Sequence, residues 1–297
     1  MAEPILKWAG GKRQILSRIR GTFPPESEIN SYHEPFFGGG AIFFKETHQY
    51  AATINDINNR LMNFYWVVKE HPDKLIDQNR SHIQDEDYYY DARDRFNELR
   101  ARTDDFEDDL ETRVQEASLL LYLNRNCFNG LYRENSSGEF NVPYGDYANP
   151  NWVQESRITT ASEALEGVNI FSKDFQYVVD EVEEGDLVYF DPPYKPMERS
   201  SSFVEYHNSA FGQEEQQRLA DTAVELNKMG VNVVISNSPA MEELYSGLEE
   251  FEVLPVGARR SINSNADDRG EVKEVLLTNV DNSRIEDPNL TEFEKQA

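Results

Sequence analysis

The sequence contains only one cysteine, Cys127, and no apolar run as long as a membrane-spanning helix. A single cysteine excludes a disulfide framework and a metal site built from several thiolates. The first residues lack the apolar stretch of a secretory signal, and the five histidines show no metal-ligand spacing. These absences together predict a cytoplasmic protein that binds no metal.

Positive charge is scarce as well. The chain has 55 acidic residues against 29 basic ones, most of them arginine, which gives a net charge of −26. Acidity of this size opposes binding to polyanions. Two interpretations stay open: a halophilic surface that carboxylates keep hydrated in concentrated salt, and an ordinary acidic protein that avoids polyanions. The halophilic interpretation is favoured because such self-repulsion is costly at low ionic strength.

The sequence does contain enough apolar residues for a hydrophobic core, and predicted strands alternate with predicted helices along it. The chain is 38% hydrophobic and 12% aromatic, which suits one large domain or two modest ones. Short apolar runs alternate with helical patterns, which predicts an α/β domain with a largely parallel sheet. The predicted strands are Ser31–Phe37, Ala52–Ile57, Asn169–Phe171, Asp186–Phe190 and Val231–Ile235, and predicted helices include Ala41–Tyr50 and Gln213–Met229.

The middle of the chain has a different pattern. From Asn58 to about Trp152 it is helical and strongly charged, and Asn124–Tyr147 is rich in turn formers, which predicts a hairpin or structured loop. Asp104–Glu111 is typical of a solvated acidic segment without chemistry. We therefore predict a discontinuous domain of residues 1–57 and 153–280, an inserted domain of residues 58–152, and a polar tail of residues 281–297.

The glycines of Glu34–Gly40 follow the first predicted strand. Gly38 and Gly40 allow a tight turn and close approach of an adenosine-type cofactor, and Asp56 ends the next strand, where a carboxylate can accept ribose hydroxyls. The pattern misses the dinucleotide fingerprint because Phe43 stands where a further glycine or alanine belongs. The alternative is a structural turn with an unrelated acid nearby.

Asp191-Pro192-Pro193-Tyr194 directly follows another predicted strand. Two prolines end that strand and leave a carboxylate, an outward carbonyl and an aromatic ring at the edge of the sheet. Asp191 and the Pro192 carbonyl can each accept an N–H of one planar amino group, while Tyr194 stacks on the ring that carries it. Such an amine is a poor nucleophile, and two acceptors direct its lone pair toward an electrophile. The sequence thus predicts catalysis at Asp191, Pro192 and Tyr194.

These motifs, with others in the same order, resemble one family, the Dam-type (class alpha) DNA adenine N6-methyltransferases. The segments that carry the resemblance are Leu6–Lys12, Glu34–Gly40, Asp56–Asn58, Leu123–Asn135, Gly138–Gly145, Asp191–Tyr194, Phe203–Tyr206, Ile235–Asn237 and Arg259–Asn265. They cover nearly the whole chain except the acidic middle helices and the C-terminal tail. The order, with cofactor motifs first and the catalytic motif last, is that of the alpha arrangement.

The resemblance implies an S-adenosylmethionine-dependent enzyme acting on double-stranded DNA, with the target adenine flipped out beside Tyr194. It implies a Rossmann-like methyltransferase sheet with helices on both faces and an inserted, mostly helical target-recognition domain with a hairpin loop. The residues at matching cofactor positions are Trp8, Lys12, Phe36, Gly38, Gly40, Asp56 and Asp191. Trp8 has an alternative role, packing of the N-terminal segment.

The resemblance also implies a recognition hairpin. Phe128 matches an aromatic that wedges into the base stack, and Arg133 matches a guanine reader, for which an arginine fork is suited. The other residues at matching DNA-contact positions are Lys7, Arg125, Asn129, Leu131, Pro143, Tyr144, Arg259 and Asn263. The similar hairpin favours GATC as the site, although Tyr132 stands where relatives often have a small residue or cysteine. Arg125 has an alternative role as a structural ion-pair partner.

Other functions stay open at this point. A methyltransferase of RNA or of a protein amide usually carries asparagine at the position of Asp191, and a nicotinamide-dependent oxidoreductase needs a different glycine spacing. A catalytically inactive DNA-binding relative need not keep Asp191 and Tyr194. Cys127 is no credible nucleophile, because it lies in the recognition segment. We expect a monomer, and the sequence leaves open a role in restriction–modification, replication marking or viral self-protection.

Overall fold

The structure is a computed structural model that describes residues 2–10, 12, 15–45, 50–103, 109–193, 211–259 and 271–281. Two predicted site residues, Tyr194 and Asn263, lie outside the described residues, as do residues 104–108 of the acidic segment and the tail after Asp281. Arg259 is described by its backbone alone.

The described strands form one seven-stranded mixed sheet in the order β3-β2-β1-β4-β5-β7-β6. The strands are β1 (Ser31–Glu34), β2 (Ala51–Asn55), β3 (Asn169–Phe171), β4 (Leu187–Phe190), β5 (Asn232–Asn237), β6 (Glu252–Arg259) and β7 (Glu271–Thr278). Strand β4 runs parallel to β1 and β5, whereas β7 runs antiparallel to β5 and β6. The five predicted strands are confirmed within a few residues, and the mixed α/β class is confirmed.

Burial explains why the central strands could be predicted from the sequence. All four residues of β4 are buried, and so are the five residues that follow Asn232 in β5. Strands buried along nearly their whole length are typical of parallel strands that are covered on both faces. Parallel strands end at a common edge, so the residues that follow β1, β4 and β5 lie where ligands bind in open α/β sheets.

The described helices are α1 (Leu16–Gly21), α2 (Asn59–Glu70), α3 (Pro72–Asn79), α4 (Glu86–Thr103), α5 (Leu110–Asn126), α6 (Glu155–Ala164), α7 (Val178–Glu181), α8 (Gln213–Lys228) and α9 (Glu242–Tyr245). Side-chain caps begin α2 and α5. Asn58 accepts the Leu61 N–H at 3.1 Å, and Asp109 accepts the Thr112 N–H at 2.9 Å. Each satisfies a backbone donor that the first helical turn leaves unpaired.

One predicted helix is different in the structure. In the described part of Ala41–Tyr50, only Phe43–Lys45 is helical, as a single 3₁₀ turn. The adjacent Phe43 and Phe44 are both buried, against Phe37 and against each other. A tight turn can bury two consecutive aromatic rings, whereas an amphipathic helix turns successive residues toward different sides.

The chain forms two compact units. The first comprises Met1–Gly11, Phe37–Thr47 and Ile54–Lys173, and the second comprises Lys12–Phe36, His48–Thr53 and Asp174–Ala297. The first contains α2 to α6 and the predicted hairpin. Its interior includes a buried ion pair in which the Arg60 Nε donates to Glu116 Oε1 at 2.7 Å. The second contains β1, β4, β5, β6 and β7.

The described residues contain neither a membrane-spanning helix nor a metal-ligand cluster. None of their helices is long and apolar enough to cross a membrane. Nor do these residues contain a group of three or more histidine, cysteine, aspartate or glutamate side chains that could hold a metal ion.

Candidate active site and nucleic-acid interface

In the first unit, Asp56 is bound to the glycine turn. Its Oδ2 accepts the Gly38 N–H at 3.0 Å, and its Oδ1 accepts the Asn58 N–H at 3.0 Å. Burial raises the pKa of the carboxyl, and the two backbone hydrogen bonds oppose that rise. An ionised carboxylate offers about four acceptor sites, so each oxygen retains the capacity to accept a hydroxyl.

The glycines of the turn are required by its geometry. Gly38 has φ +50° and Gly40 has φ +66°, a region that disfavours side chains. A Cβ on Gly38 would lie 2.9 Å from Trp8 Cδ1, and one on Gly40 would lie 2.6 Å from Phe37 Cζ. The turn is thus held by direct contact between the Trp8 indole and the bare backbone.

Trp8 also contacts the predicted recognition segment. Its ring stacks on Tyr132, with centroids 5.0 Å apart and an interplanar angle of 26°. The Tyr132 hydroxyl donates to Glu134 Oε1 at 2.6 Å. Tyr132, the position at which the sequence departs from the family, therefore packs on a predicted cofactor residue, which fits a packing role for Trp8 as well.

Ile57 is a candidate that sequence reasoning missed. It directly follows Asp56, yet its side chain is 74% exposed, the largest exposed fraction among the large hydrophobic residues described. Exposed apolar surface beside a polar acceptor is suited to a flat, partly apolar ligand. The only available signal was its place after the predicted ribose acceptor.

In the second unit, Asp191 leaves β4 and contacts a buried lysine. Lys12 Nζ lies 3.1 Å from Asp191 Oδ1 and 3.3 Å from Glu274 Oε2, and the lysine side chain is only 2% exposed. The Ser236 hydroxyl donates to the same Asp191 Oδ1 at 3.1 Å. Among the described residues, both partners of Asp191 contact Oδ1, which leaves Oδ2 available to a further donor.

The environment of Asp191 perturbs its titration. Burial raises the pKa of the Asp191 carboxyl, Lys12 lowers it, and the Glu274 carboxylate raises it again. Opposing effects of a cation and a second anion on one buried acid are typical of functional sites.

Strand β4 ends at Phe190, directly before Asp191-Pro192-Pro193. The Pro193 carbonyl accepts the Gln216 Nε2 at 3.4 Å, and Gln216 Oε1 in turn accepts the Asn237 Nδ2 at 2.9 Å. Within the described part of the chain, no donor contacts the Pro192 carbonyl oxygen. That oxygen therefore keeps its acceptor capacity, as the predicted role requires.

Phe36 belongs to an aromatic cluster in the same unit. Its ring stacks on Phe175 with centroids 5.3 Å apart, meets Phe211 edge-on at 5.3 Å, and lies 6.2 Å from Phe190. Phe36 itself is only half-buried, so part of its ring remains accessible. An accessible ring with a fixed orientation is suited to contact an apolar ligand.

The hairpin expected over Asn124–Tyr147 is present in the first unit. Cys127 pairs with Tyr144 and Glu134 pairs with Phe140, both in antiparallel bridges. The Phe128 N–H donates to the Pro143 carbonyl at 2.9 Å, which fixes the two arms against each other. Burial raises the pKa of the Cys127 thiol to about 12, so this cysteine is protonated at neutral pH and no nucleophile.

Most predicted DNA-contacting residues of this hairpin are exposed. Phe128 is 49% exposed and Leu131 36% exposed, although both are large and apolar. The exposed Asn129 has φ +56°, a conformation that asparagine tolerates, and Pro143 is exposed as well. Arg125 and Tyr144 are the exceptions, because both are half-buried, and the Tyr144 ring packs on Tyr89 at 5.4 Å.

The Arg133 side chain is exposed, and hydrogen bonds to Asn141 fix its orientation. Its Nε donates to Asn141 Oδ1 at 2.8 Å, and its Nη2 lies 3.5 Å from the Asn141 carbonyl oxygen. These contacts steady one edge of the guanidinium. A planar fork presented in a fixed orientation is what bidentate recognition of a guanine edge requires.

Lys7 and Arg125 are held by the fold. The Asn124 side chain pairs with the backbone of Lys7, with both hydrogen bonds at 2.8 Å, and Lys7 Nζ lies 4.6 Å from the centre of the Tyr147 ring. Partial burial and Arg125 lower the pKa of the Lys7 ammonium. Arg125 donates to the Ile5 carbonyl and to Gln154 Oε1. These partners indicate a structural role for Arg125, and its contact with DNA stays a prediction.

Comparisons with known proteins agree with this chemistry. Residues 8–262 match the family described as D12 class N6 adenine-specific DNA methyltransferase. Relatives include type II methyltransferase M1.LlaDCHI of Lactococcus lactis subsp. cremoris, 40% identical over 94% of this chain and 96% of its own. Type II methyltransferase M.MjaIII of Methanocaldococcus jannaschii is 39% identical over 93% and 99%, and a DNA adenine methylase of Haemophilus influenzae is 34% identical over 92% of each chain.

The chain therefore belongs to the D12 class of N6 adenine-specific DNA methyltransferases. Its substrate is DNA, and its activity is adenine-specific methyl transfer. A methyltransferase family implies S-adenosylmethionine as the methyl donor in general. The expected activity, adenine-specific DNA methylation, is confirmed, and these relatives favour it over an RNA or protein-amide methyltransferase and over an oxidoreductase.

Proposed function

We propose that Asp56 and its surroundings bind the adenosine part of S-adenosylmethionine. Asp56 carries the proposal, because its carboxylate is fixed by two backbone N–H groups at 3.0 Å and still has lone pairs for ribose hydroxyls. The exposed Ile57 offers an apolar surface for the adenine ring. Trp8, Lys12, Phe36, Gly38, Gly40 and Asp191 complete the proposed cofactor contacts. The residues present thus fit the cofactor that the family implies.

Asp191 and Pro192 are the proposed acceptors for the target amino group. Asp191 Oδ2 and the Pro192 carbonyl accept its two N–H bonds, and the lone pair is thereby directed away from the base ring. S-adenosylmethionine supplies an electrophilic methyl group when it is bound. Tyr194 stacks on the flipped adenine and excludes water from one of its faces.

Residues 58–152 are the proposed target-recognition domain, inserted into the Rossmann-like catalytic domain of residues 1–57 and 153–280. Phe128, which is exposed beside the Cys127–Tyr144 bridge, enters the base stack, and Leu131 and Pro143 contact bases beside it. Arg133 reads a guanine, and Lys7, Asn129, Tyr144, Arg259 and Asn263 complete the contacts. The exposure of Phe128, Leu131 and Arg133 supports this role. The proposed site is GATC, as in the Dam-type class.

Calorimetry with S-adenosylmethionine tests the cofactor proposal. We expect wild-type protein to bind S-adenosylmethionine and not NAD, and we expect Asp56→Asn to weaken that binding by about tenfold or more, because a charged acceptor of the ribose hydroxyls is lost. The exposed Asp94→Asn, which makes the same chemical change on α4, is the control. Equal affinity in all three proteins would contradict the role of Asp56.

We also propose that the acidic surface is a halophilic adaptation. Exposed acids such as Asp77 and Asp94, 74% and 72% exposed, illustrate how carboxylates face solvent. Salt has two opposing effects here. It screens the repulsion among 26 excess negative charges, within roughly 3 Å at about 1 M, and it weakens phosphate contacts because counterion release becomes less favourable.

The resulting prediction is a bell-shaped dependence of methylation on salt. Activity rises with monovalent salt, peaks above about 0.5 M, and then falls as phosphate contacts weaken. Initial rates on a GATC duplex between 0.05 and about 3 M salt provide the measurement, with circular dichroism at each concentration. A steady decline from about 0.05 M upward, with an unchanged fold, would contradict the halophilic interpretation.

A further inference from the structure

We infer that Glu274 is a positioning residue for methyl transfer, which acts through Lys12 to orient Asp191 and to set the charge around it. The inference rests on the proposed role of Asp191 as acceptor of the target amino group. Glu274 lies on β7, a strand that no sequence motif selected, and it contacts Lys12, itself one of the proposed cofactor residues. Its effect reaches Asp191 through one ammonium group.

The contacts form a continuous chain of polar groups in the second unit. Lys12 Nζ lies between Glu274 Oε2 at 3.3 Å and Asp191 Oδ1 at 3.1 Å. Ser236 donates to Asp191 Oδ1 at 3.1 Å, and the Tyr189 hydroxyl lies 2.9 Å from the Ser236 hydroxyl. Lys12, Ser236 and Tyr189 are buried, so water competes little for these bonds.

The first consequence concerns orientation. Lys12 and Ser236 approach the same carboxylate oxygen from two elements, so rotation of the Asp191 side chain would break both contacts. A lysine stem is long and flexible, and an ammonium held by one partner alone can follow that partner. Glu274 gives Lys12 a second, fixed partner on a strand of the sheet. Asp191 Oδ1 is thereby anchored, and Oδ2 faces the substrate.

The second consequence concerns charge. Lys12 and Asp191 alone sum to zero, whereas Lys12, Asp191 and Glu274 together carry −1. Methyl transfer moves positive charge onto the target nitrogen, and a fixed negative charge at that place stabilises the transition state. A neutral pair would give much weaker stabilisation. The negative charge of Glu274 therefore offsets the positive charge of Lys12, which holds Asp191 in place.

A purely structural Glu274 would have a different signature. Leaving Lys12 with one carboxylate in a buried place destabilises the fold, and that alone would lower activity in proportion to folded protein. A positioning residue instead changes turnover per folded molecule and the titration of Asp191. The titratable groups that face Asp191 among the described residues are Lys12, Glu274 and Tyr189. Glu274 does not contact Asp191 directly among the described contacts. A conservative substitution of Glu274 therefore removes a charge near Asp191 and leaves the direct contacts of Asp191 in place.

The test compares Glu274→Gln, Glu274→Asp and the control Glu252→Gln, which makes the same change at an exposed place on β6. Glu274→Gln is expected to lower kcat at saturating S-adenosylmethionine by about tenfold to a hundredfold, less than loss of a group that touches the amino nitrogen, with KM for DNA unchanged. Glu274→Asp keeps the charge and recovers part of the rate. Glu252→Gln behaves as wild type.

The pH profile separates the two accounts. Asp191 must be ionised to accept the amino group, so kcat/KM falls on the acid side as Asp191 is protonated. The Glu274 carboxylate raises the pKa of Asp191, so its removal lowers that pKa and moves the acid limb of Glu274→Gln to lower pH. An unshifted acid limb, with a loss of activity that follows only a lower melting temperature and no recovery in Glu274→Asp, would overturn the inference.

The outcome is distinguishable from failure of the proposed function. If Asp191→Asn retained full activity, the role of Asp191 would be wrong and Glu274 would have nothing to position. If Asp191→Asn were inactive while folded Glu274→Gln turned over as wild type, only the inference about Glu274 would be wrong. Should Glu274→Gln fail to fold, Glu274→Asp still tests the inference. Aspartate is one methylene shorter than glutamate, so its carboxylate lies farther from Lys12. We therefore expect Glu274→Asp to have a reduced kcat and a pH profile whose acid limb is like that of wild type. Wild-type turnover in Glu274→Asp would contradict the positioning role.

Discussion

Asp191→Ala lowers kcat for adenine methylation at saturating S-adenosylmethionine by about a thousandfold, while the fold remains close to wild type. The variant removes the charged acceptor of the amino group, an interaction that strengthens as positive charge develops on the nitrogen. Loss of packing is small because the residue follows the end of β4. Lys12 still has Glu274 at 3.3 Å, so the substitution leaves no buried ammonium without a carboxylate.

Single-turnover rates with saturating DNA and S-adenosylmethionine provide the measurement, since they report the chemical step without product release. Asp221→Asn on the exposed face of α8 is the control for a lost carboxylate in the same unit. Turnover of Asp191→Ala within tenfold of wild type, at equal cofactor occupancy, would show that Asp191 is not the acceptor.

Arg133→Ala weakens discrimination at one guanine of the recognition site by about 1–3 kcal/mol, the usual contribution of a bidentate base contact. The side chain is exposed, and Asn141 holds one edge of its guanidinium at 2.8 Å, so the native fork is oriented before DNA arrives. Pre-orientation reduces the entropy lost on binding and sharpens the choice of base. Affinity for unrelated DNA changes much less.

Competition binding measures this effect, with a GATC duplex against duplexes in which each guanine is replaced in turn. Arg95→Ala removes an exposed arginine from α4 of the same unit and controls for the lost positive charge. If Arg133→Ala reduced specific and non-specific affinity equally, Arg133 would be a phosphate contact, and the assignment of this part of the hairpin would be wrong.

The catalytic motif was accessible to sequence reasoning because its signal is local. The buried run Leu187–Phe190 predicts a strand, and two prolines must end it, so Asp191 is placed at the edge of the sheet without any knowledge of its neighbours. The glycine turn was accessible for the same reason. Its partner Asp56 required one further assumption, that consecutive strands end at a common edge.

The contact between Lys12 and Glu274 could not be predicted from the sequence. Strand β7 contains three charged residues, Glu271, Lys273 and Glu274, and this composition hides a strand among polar segments. The contact between Lys12 and Glu274 joins residues from opposite ends of the chain, which only the fold brings together. Arg125 shows the same limit, since its hydrogen bonds to the Ile5 carbonyl and Gln154 join segments that are distant in the sequence.

One measurement tests the central claim most directly: sequencing of DNA from cells that lack adenine methylation and express this chain, with modified bases identified at every site. The account predicts N6-methyladenine throughout GATC sites with wild-type protein and none with Asp191→Ala expressed at the same level. Unmodified adenine throughout the DNA of cells that contain folded wild-type protein would contradict the account, as would methylation that persists at full level in Asp191→Ala.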